Sequence, residues 1–130
     1  MRPGATMVAT VSTEAPKFSG TADCAQQTLV VNLVGAIDFV NKAKVEELMR
    51  EVHAAARDRD VQEVIVDFRE LEFMNSSCLK IFVAWIDTIL GLPTAGQYRV
   101  IFVSNREIGW QKNSLLALSC LAPGLVSVEP

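Results

Sequence analysis

Apolar and polar positions along this chain follow two periods in alternation. Thr28 to Val34 (TLVVNLV), Val61 to Phe68 (VQEVIVDF) and Gln97 to Val103 (QYRVIFV) are short runs rich in β-branched residues. Their length and composition predict buried strands. Between the first two, Asn41 to Arg57 predicts a helix. Val45, Leu48, Met49, Val52, Ala55 and Ala56 recur at the i, i+3, i+4, i+7 spacing of one face, with Lys44, Glu47, Glu51 and Arg57 opposite. Asn41 or Asp38 is placed to cap its start. A second helix is predicted over Ser76 to Leu90, with Leu79, Phe82, Val83, Ile86 and Ile89 on its apolar arc. Asn75 is its N-cap, and Gly91 with Pro93 ends it. Ser104 to Lys112 reads as a polar connection. Asn113 to Leu121 is a third, short helix stopped by Pro123-Gly124, and Leu125 to Val128 is a last strand. At the other end, Met7 to Ser12 reads as a strand. Glu14 to Gln27, with Pro16, Ser19, Gly20 and Asp23, reads as a loop.

Strands alternating with amphipathic helices make an α/β domain with parallel neighbours and right-handed crossovers. The expectation is one small mixed β-sheet of about four or five strands with a parallel core, flanked by helices that cover part of both faces. Residues 1–27 form an N-terminal segment and residues 28–130 the domain proper.

Composition narrows the function classes. The chain has 130 residues, half of them hydrophobic, enough for one real core. A net charge of −3 argues against nucleic acid as a partner. No run approaches the roughly 20 apolar residues of a spanning helix, so no membrane partner is expected. Arg2 is followed by no apolar stretch, because Thr6, Thr10, Ser12, Thr13, Glu14 and Lys17 interrupt it, and no secretory leader is read. Cys24, Cys78 and Cys120 are odd in number and widely spaced, which fits neither a disulfide framework nor a zinc site. A reducing cytoplasm is the expected setting, and no cofactor is implied.

The informative stretch is Val64 to Trp85, VIVDFRELEFMNSSCLKIFVAW. A buried strand ends, a short loop follows, and Asn75-Ser76-Ser77 opens a helix. Free N–H groups and the dipole at a helix start favour an anion, so a hydroxyl there is well placed to carry a phosphate. That phosphate would add about −1.5 to −2 charges to the surface. At 3.6 residues per turn, Ser76, Ser77, Lys80, Ala84, Asp87 and Thr88 share one polar arc. Ile81 is expected at its edge and Trp85 near the boundary, a strip suited to docking a partner. Capping chemistry alone explains Asn-Ser-Ser and is the plainer reading of those residue types. The residue types alone leave both readings open.

The stretch resembles the signature of the STAS-domain family, in which a strand of the type (I/V)-(V/I)-(L/V)-(D/N) leads through a loop to (F/Y)-(M/I)-D-S-(S/T)-G-L. Here the blocks read VIVDF and FMNSSCL. Leu29 to Asp38 (LVVNLVGAID) resembles the family's preceding strand with its terminal G-x-(L/I)-D, Tyr98 to Val103 the following strand, and Leu115 to Val128 the last helix and strand. The resemblance implies a small helix-flanked sheet with no catalytic activity of its own. In the anti-sigma-factor antagonist branch it implies a partner that is both anti-sigma factor and serine kinase, and a serine phosphatase that resets the switch. Ser76 is then the phosphoacceptor, with Ser77 as the alternative. Asp38, Asn75, Ser76, Ser77, Lys80, Ile81 and Ala84 form the partner surface. Two positions depart from the pattern. Asn75 replaces the family's Asp and removes a negative charge beside the acceptor. Cys78 replaces a Gly, which permits close backbone approach. These departures motivate a second reading, a STAS scaffold or interaction module in a signalling complex that is not phosphorylated, with self-association as a homodimer open to it.

Three other features carry weaker chemistry. Cys78 lies in the first helical turn, where the dipole lowers a thiol pKa. This supports a third reading as a redox sensor or cysteine enzyme, but the helical phase turns Cys78 toward the apolar arc. His53, the single histidine, has no second base motif around it and reads as a surface or boundary residue. Asp67, Glu70 and Glu72 lack the spacing of a metal loop and read as a solvated acidic rim. No P-loop or G-x-G-x-x-G occurs. Trp110, Leu115, Leu116 and Leu118 are expected in the core.

Overall fold

A computed structural model describes residues 4–130. Arg2, on which the reading of the N-terminus leans, lies outside them. In chain order the elements are β1 (Thr6–Glu14), β2 (Lys17–Ala25), β3 (Thr28–Ile37), α1 (Lys42–Asp58), β4 (Glu63–Met74), a 3-10 turn (Ser76–Cys78), α2 (Leu79–Leu90), β5 (Arg99–Val103), α3 (Gly109–Cys120) and β6 (Val126–Glu129). A further 3-10 turn spans Thr94–Gly96. The six strands form one sheet in sequence order. β1, β2 and β3 are antiparallel neighbours, and β3 to β6 are parallel. The α/β class and the parallel core are as expected.

The strand count rises to six mainly because Lys17–Ala25 is a strand and not a loop. Its inward positions are Phe18, Gly20, Ala22 and Cys24, and all are buried. The alternation is present, but three of the four inward residues are small, so it carries little hydrophobic signal. They are small because α1 packs there: a Cβ on Gly20 would stand 2.6 Å from Leu48 Cδ2.

The helices cover one face of the sheet, not parts of both. Leu29, Val64, Val100 and Val126 are register partners across β3 to β6, and each is buried. The next row, Val30, Ile65, Ile101 and Ser127, is half-buried or exposed. One core holds the inward row with Val45, Leu48, Met49 and Val52 of α1, Phe82, Ile86 and Ile89 of α2, and Leu115 and Leu118 of α3. Right-handed crossovers between sequential strands return every helix to the same side.

α3 starts at Gly109, so Trp110 and Gln111 belong to its first turn and not to a connection. The reason lies in β4. Its pairing with β5 stops at Asp67–Val103 while the strand continues to Met74. The carbonyls beyond that point take side chains in place of a strand. Gln111 Nε2 donates to Phe68 O at 2.6 Å and Leu71 O at 3.0 Å. Asn105 Nδ2 donates to Arg69 O and Trp110 Nε1 to Glu72 O. Gln111 is fully buried for this purpose. Leu116, expected in the core, is exposed, while Leu115 and Leu118 are buried. Trp110 is half-buried and packs on Phe68, 6.3 Å between ring centres.

Candidate functional site

Parallel pairing of β3 and β4 puts Ile37 opposite Met74, so the segments leaving the two strands run side by side. Asn75 N donates to Ile37 O at 2.8 Å and closes this junction. Loops beyond the carboxyl ends of parallel strands are where α/β domains place their functional groups. Here they bring together Asp38 and the Asn75-Ser76-Ser77 turn.

Asn75 caps that turn as expected. Its Oδ1 accepts from Ser77 N at 3.0 Å and from Ser77 Oγ at 2.7 Å. With the oxygen so committed, the amide nitrogen faces the other way and donates to Asp38 Oδ1 at 3.0 Å. Asp38 Oδ1 also accepts from Phe39 N at 2.8 Å, which holds its own loop. Asn41 holds the N-cap position of α1, as expected, but makes no side-chain capping bond there, and Asp38 does not cap the helix. Asn41 is buried and points back into the junction: its Oδ1 accepts from Asp38 N at 2.8 Å, and its Nδ2 donates to Ala36 O at 2.9 Å and Thr13 Oγ1 at 3.3 Å. One hydrogen-bonded chain thus runs from Ser77 through Asn75, Asp38 and Asn41 to β1. Side-chain polarity that reads locally as helix capping is spent on fixing two loops to each other.

The two serines differ. Ser76 is exposed, and its hydroxyl has no protein partner among the described residues. Ser77 is half-buried and its hydroxyl is bound to Asn75. Lys80 and Ala84 are exposed on the same side of α2, as the helical phase predicts. Ile81 and Trp85 are not at an exposed edge. They are 6% and 4% exposed, because α1 lies beside α2 and covers that arc. Trp85 Nε1 donates to the buried Tyr98 hydroxyl at 2.8 Å.

Two exposed aromatics near the site have no counterpart in the expected site residues. Phe39 is 66% exposed and Val40 79%, both directly after Asp38, and Phe73 is 49% exposed one step before Met74. Their apolar side chains in loop or edge positions are a signal that the sequence carries. The periodic patterns leave them unassigned.

Cys78 is fully buried, and burial pushes its thiol up, away from the thiolate a nucleophile needs. His53 is half-buried on α1, with Nδ1 2.7 Å from Tyr98 Oη. Since Trp85 can only donate to Tyr98, the buried tyrosine proton is best placed on His53 Nδ1, which leaves the histidine proton on Nε2. Burial and the Arg57 charge hold His53 below its usual pKa. Burial alone would raise Asp67, but hydrogen bonds and charge from Arg69 outweigh it and hold the carboxyl low. Among the described residues no group of three or more His, Cys, Asp or Glu is placed to hold a metal. No helix among them is long and apolar enough to cross a membrane.

The fold has solved counterparts. It is similar to an anti-sigma factor antagonist from Mycobacterium paratuberculosis, with 19% identity and a TM-score of 0.64 over 92% of this chain and 91% of that one. It is also similar to the anti-sigma factor antagonist SpoIIAA in its unphosphorylated form, with 16% identity and a TM-score of 0.58 over 85% and 88%. Among curated protein sequences the chain has no significant match. The STAS domain model matches residues 20–92, from the middle of β2 to just past α2, and with it the junction of Asp38 and Asn75. The chain therefore belongs to the STAS domain family.

Proposed function

We propose that this chain is a binding module of the anti-sigma-factor antagonist type, whose partner is an anti-sigma factor with serine kinase activity, and that phosphorylation of Ser76 releases that partner. A serine phosphatase restores the binding form. The observation that carries the reading is the inequality of the two serines. Ser76 presents a free hydroxyl at the domain surface, whereas Ser77 is tied to Asn75.

The surface around Ser76 has the makings of a protein contact. Phe39, Val40 and Phe73 offer exposed apolar area, and Asp38, Asn75, Ser77, Lys80 and Ala84 frame it with polar and small groups. A phosphate on Ser76 would bring about −1.5 to −2 charges and a hydration shell into that contact. Asp38 accepts from Asn75 beside the turn, and Lys80 stands exposed one helical turn beyond Ser76.

A second reading keeps the binding and drops the switch. It is favoured by the bond from Asn75 to Asp38, which fixes the junction with no modification required. Titration of the cognate anti-sigma kinase against Ser76→Asp and Ser76→Ala separates the two. The switch predicts at least about tenfold weaker binding for Ser76→Asp, about 1.4 kcal/mol, and near wild-type binding for Ser76→Ala. Equal binding of Ser76→Asp and wild type would leave the constitutive scaffold.

A further inference from the structure

α1 and α2 lie side by side on the sheet and leave a recess of about 430 Å³ between them. Its floor is Met49, Ile81 and Trp85, and its rim carries Lys42, Arg50 and Lys80. Glu46 is the one acidic residue lining it. None of the three cations forms an ion pair among the described residues; the pairs present, Lys44–Glu47, Arg69–Asp67 and Arg99–Glu63, lie elsewhere. This local excess of positive charge, three cations to one carboxylate, occurs on a chain with a net charge of −3. His53 also lines the recess. Because Tyr98 occupies its Nδ1, the Nε2–H is the ring's remaining donor.

We infer that this recess is a binding site for a small organic anion with an apolar body, such as a medium-chain or aryl carboxylate. The volume lies within the range of small-molecule sites, and an apolar floor with a few convergent polar groups is their usual make-up. The charge sets the ligand's sign: three rim cations and a neutral histidine donor face one carboxylate. The shape sets its size. Met49, Ile81 and Trp85 are almost fully buried, so the floor is reached only from within the recess. A partner helix laid across the rim would bury little apolar area there, whereas a slender chain or ring enters it. The inference is independent of the reading of Ser76.

The test uses decanoate, below its micelle concentration, and the neutral analogue decanol, titrated into the whole protein and followed by NMR. Decanoate is expected to shift the Trp85 indole N–H and the Ile81 and Met49 methyls saturably, with decanol at least about tenfold weaker. The Lys42→Gln/Arg50→Gln pair should weaken decanoate by about tenfold, and Ala84→Trp should block it by filling the mouth. Unchanged spectra away from α1 and α2 verify that each variant is folded. Equal binding of decanol, shifts centred on Phe39 and Phe73, or no saturable shift would each overturn the assignment. Binding of an acidic amphipathic peptide in the recess with none of decanoate would overturn it too, in favour of a protein partner.

Discussion

The Asn75 side-chain nitrogen donates to Asp38 Oδ1 at 3.0 Å, across the gap between two parallel strands. This bond gives a physical meaning to one of the two residues by which the chain departs from the STAS signature. An aspartate at position 75 would set two carboxylates against each other. An amide instead satisfies Asp38 with one end and caps the Ser76 turn with the other.

Asn75→Asp is therefore expected to destabilise the fold in a pH-dependent way. Two carboxylates at this distance cannot both ionise freely, so the pair's folded-state proton affinity rises above its unfolded value. Stability is then least affected at low pH, where one proton is shared, and falls as pH rises through the carboxylate range. Urea unfolding at pH 7 should show a loss of about 1–3 kcal/mol that shrinks toward pH 4. A loss independent of pH would mean that the amide acts through shape alone.

Gln111 holds the half of β4 that β3 pairs on one side and β5 no longer reaches on the other. Gln111→Leu leaves the carbonyls of Phe68 and Leu71 unpaired in the core. Each unsatisfied buried group costs about 1–3 kcal/mol, so a total of about 2–6 kcal/mol is expected by chemical denaturation. Hydrogen exchange should localise the loosening to the second half of β4 and the start of α3.

His53 makes the fold sensitive to mild acid. Its folded pKa is depressed by burial and by Arg57, so the folded state holds fewer protons than the unfolded chain near the histidine pKa. The contribution is present above pH about 6.5 and is lost as pH falls through the folded value. Protonation would also remove the acceptor of the buried Tyr98 hydroxyl. Thermal melts from pH 8 to 5 should fall for wild type and fall less for His53→Gln.

Gly35 has a positive φ of 104°, and a Cβ there would run into the Lys17 carbonyl of the neighbouring strand. Gly35→Ala is expected to cost about 2 kcal/mol or more, read from the midpoint of urea unfolding. It should act on the β2–β3 pairing that carries Asp38 to the junction.

The parts of the fold legible in the sequence are those whose inward residues are large. TLVVNLV, VIVDF and YRVIFV became β3, β4 and β5, and the apolar arcs of α1 and α2 lie in the core. β2 was illegible because Gly20, Ala22 and Cys24 are small to admit α1. The start of α3 was illegible because Gln111 is buried for its hydrogen bonds and not for its hydrophobicity. At the site, Asn75 reads correctly as a cap, but its bond to Asp38 spans 37 positions and depends on strand register. Ile81 reads as an edge residue because helical phase gives the arc and not the neighbour: α1 covers it.

The most direct test of the switch is intact-mass spectrometry after incubation with ATP and the cognate serine kinase, on wild type, Ser76→Ala and Ser77→Ala. The account predicts one added phosphate on wild type and on Ser77→Ala, and none on Ser76→Ala. Phosphate retained by Ser76→Ala, or an unmodified wild type that still binds the kinase, would contradict it.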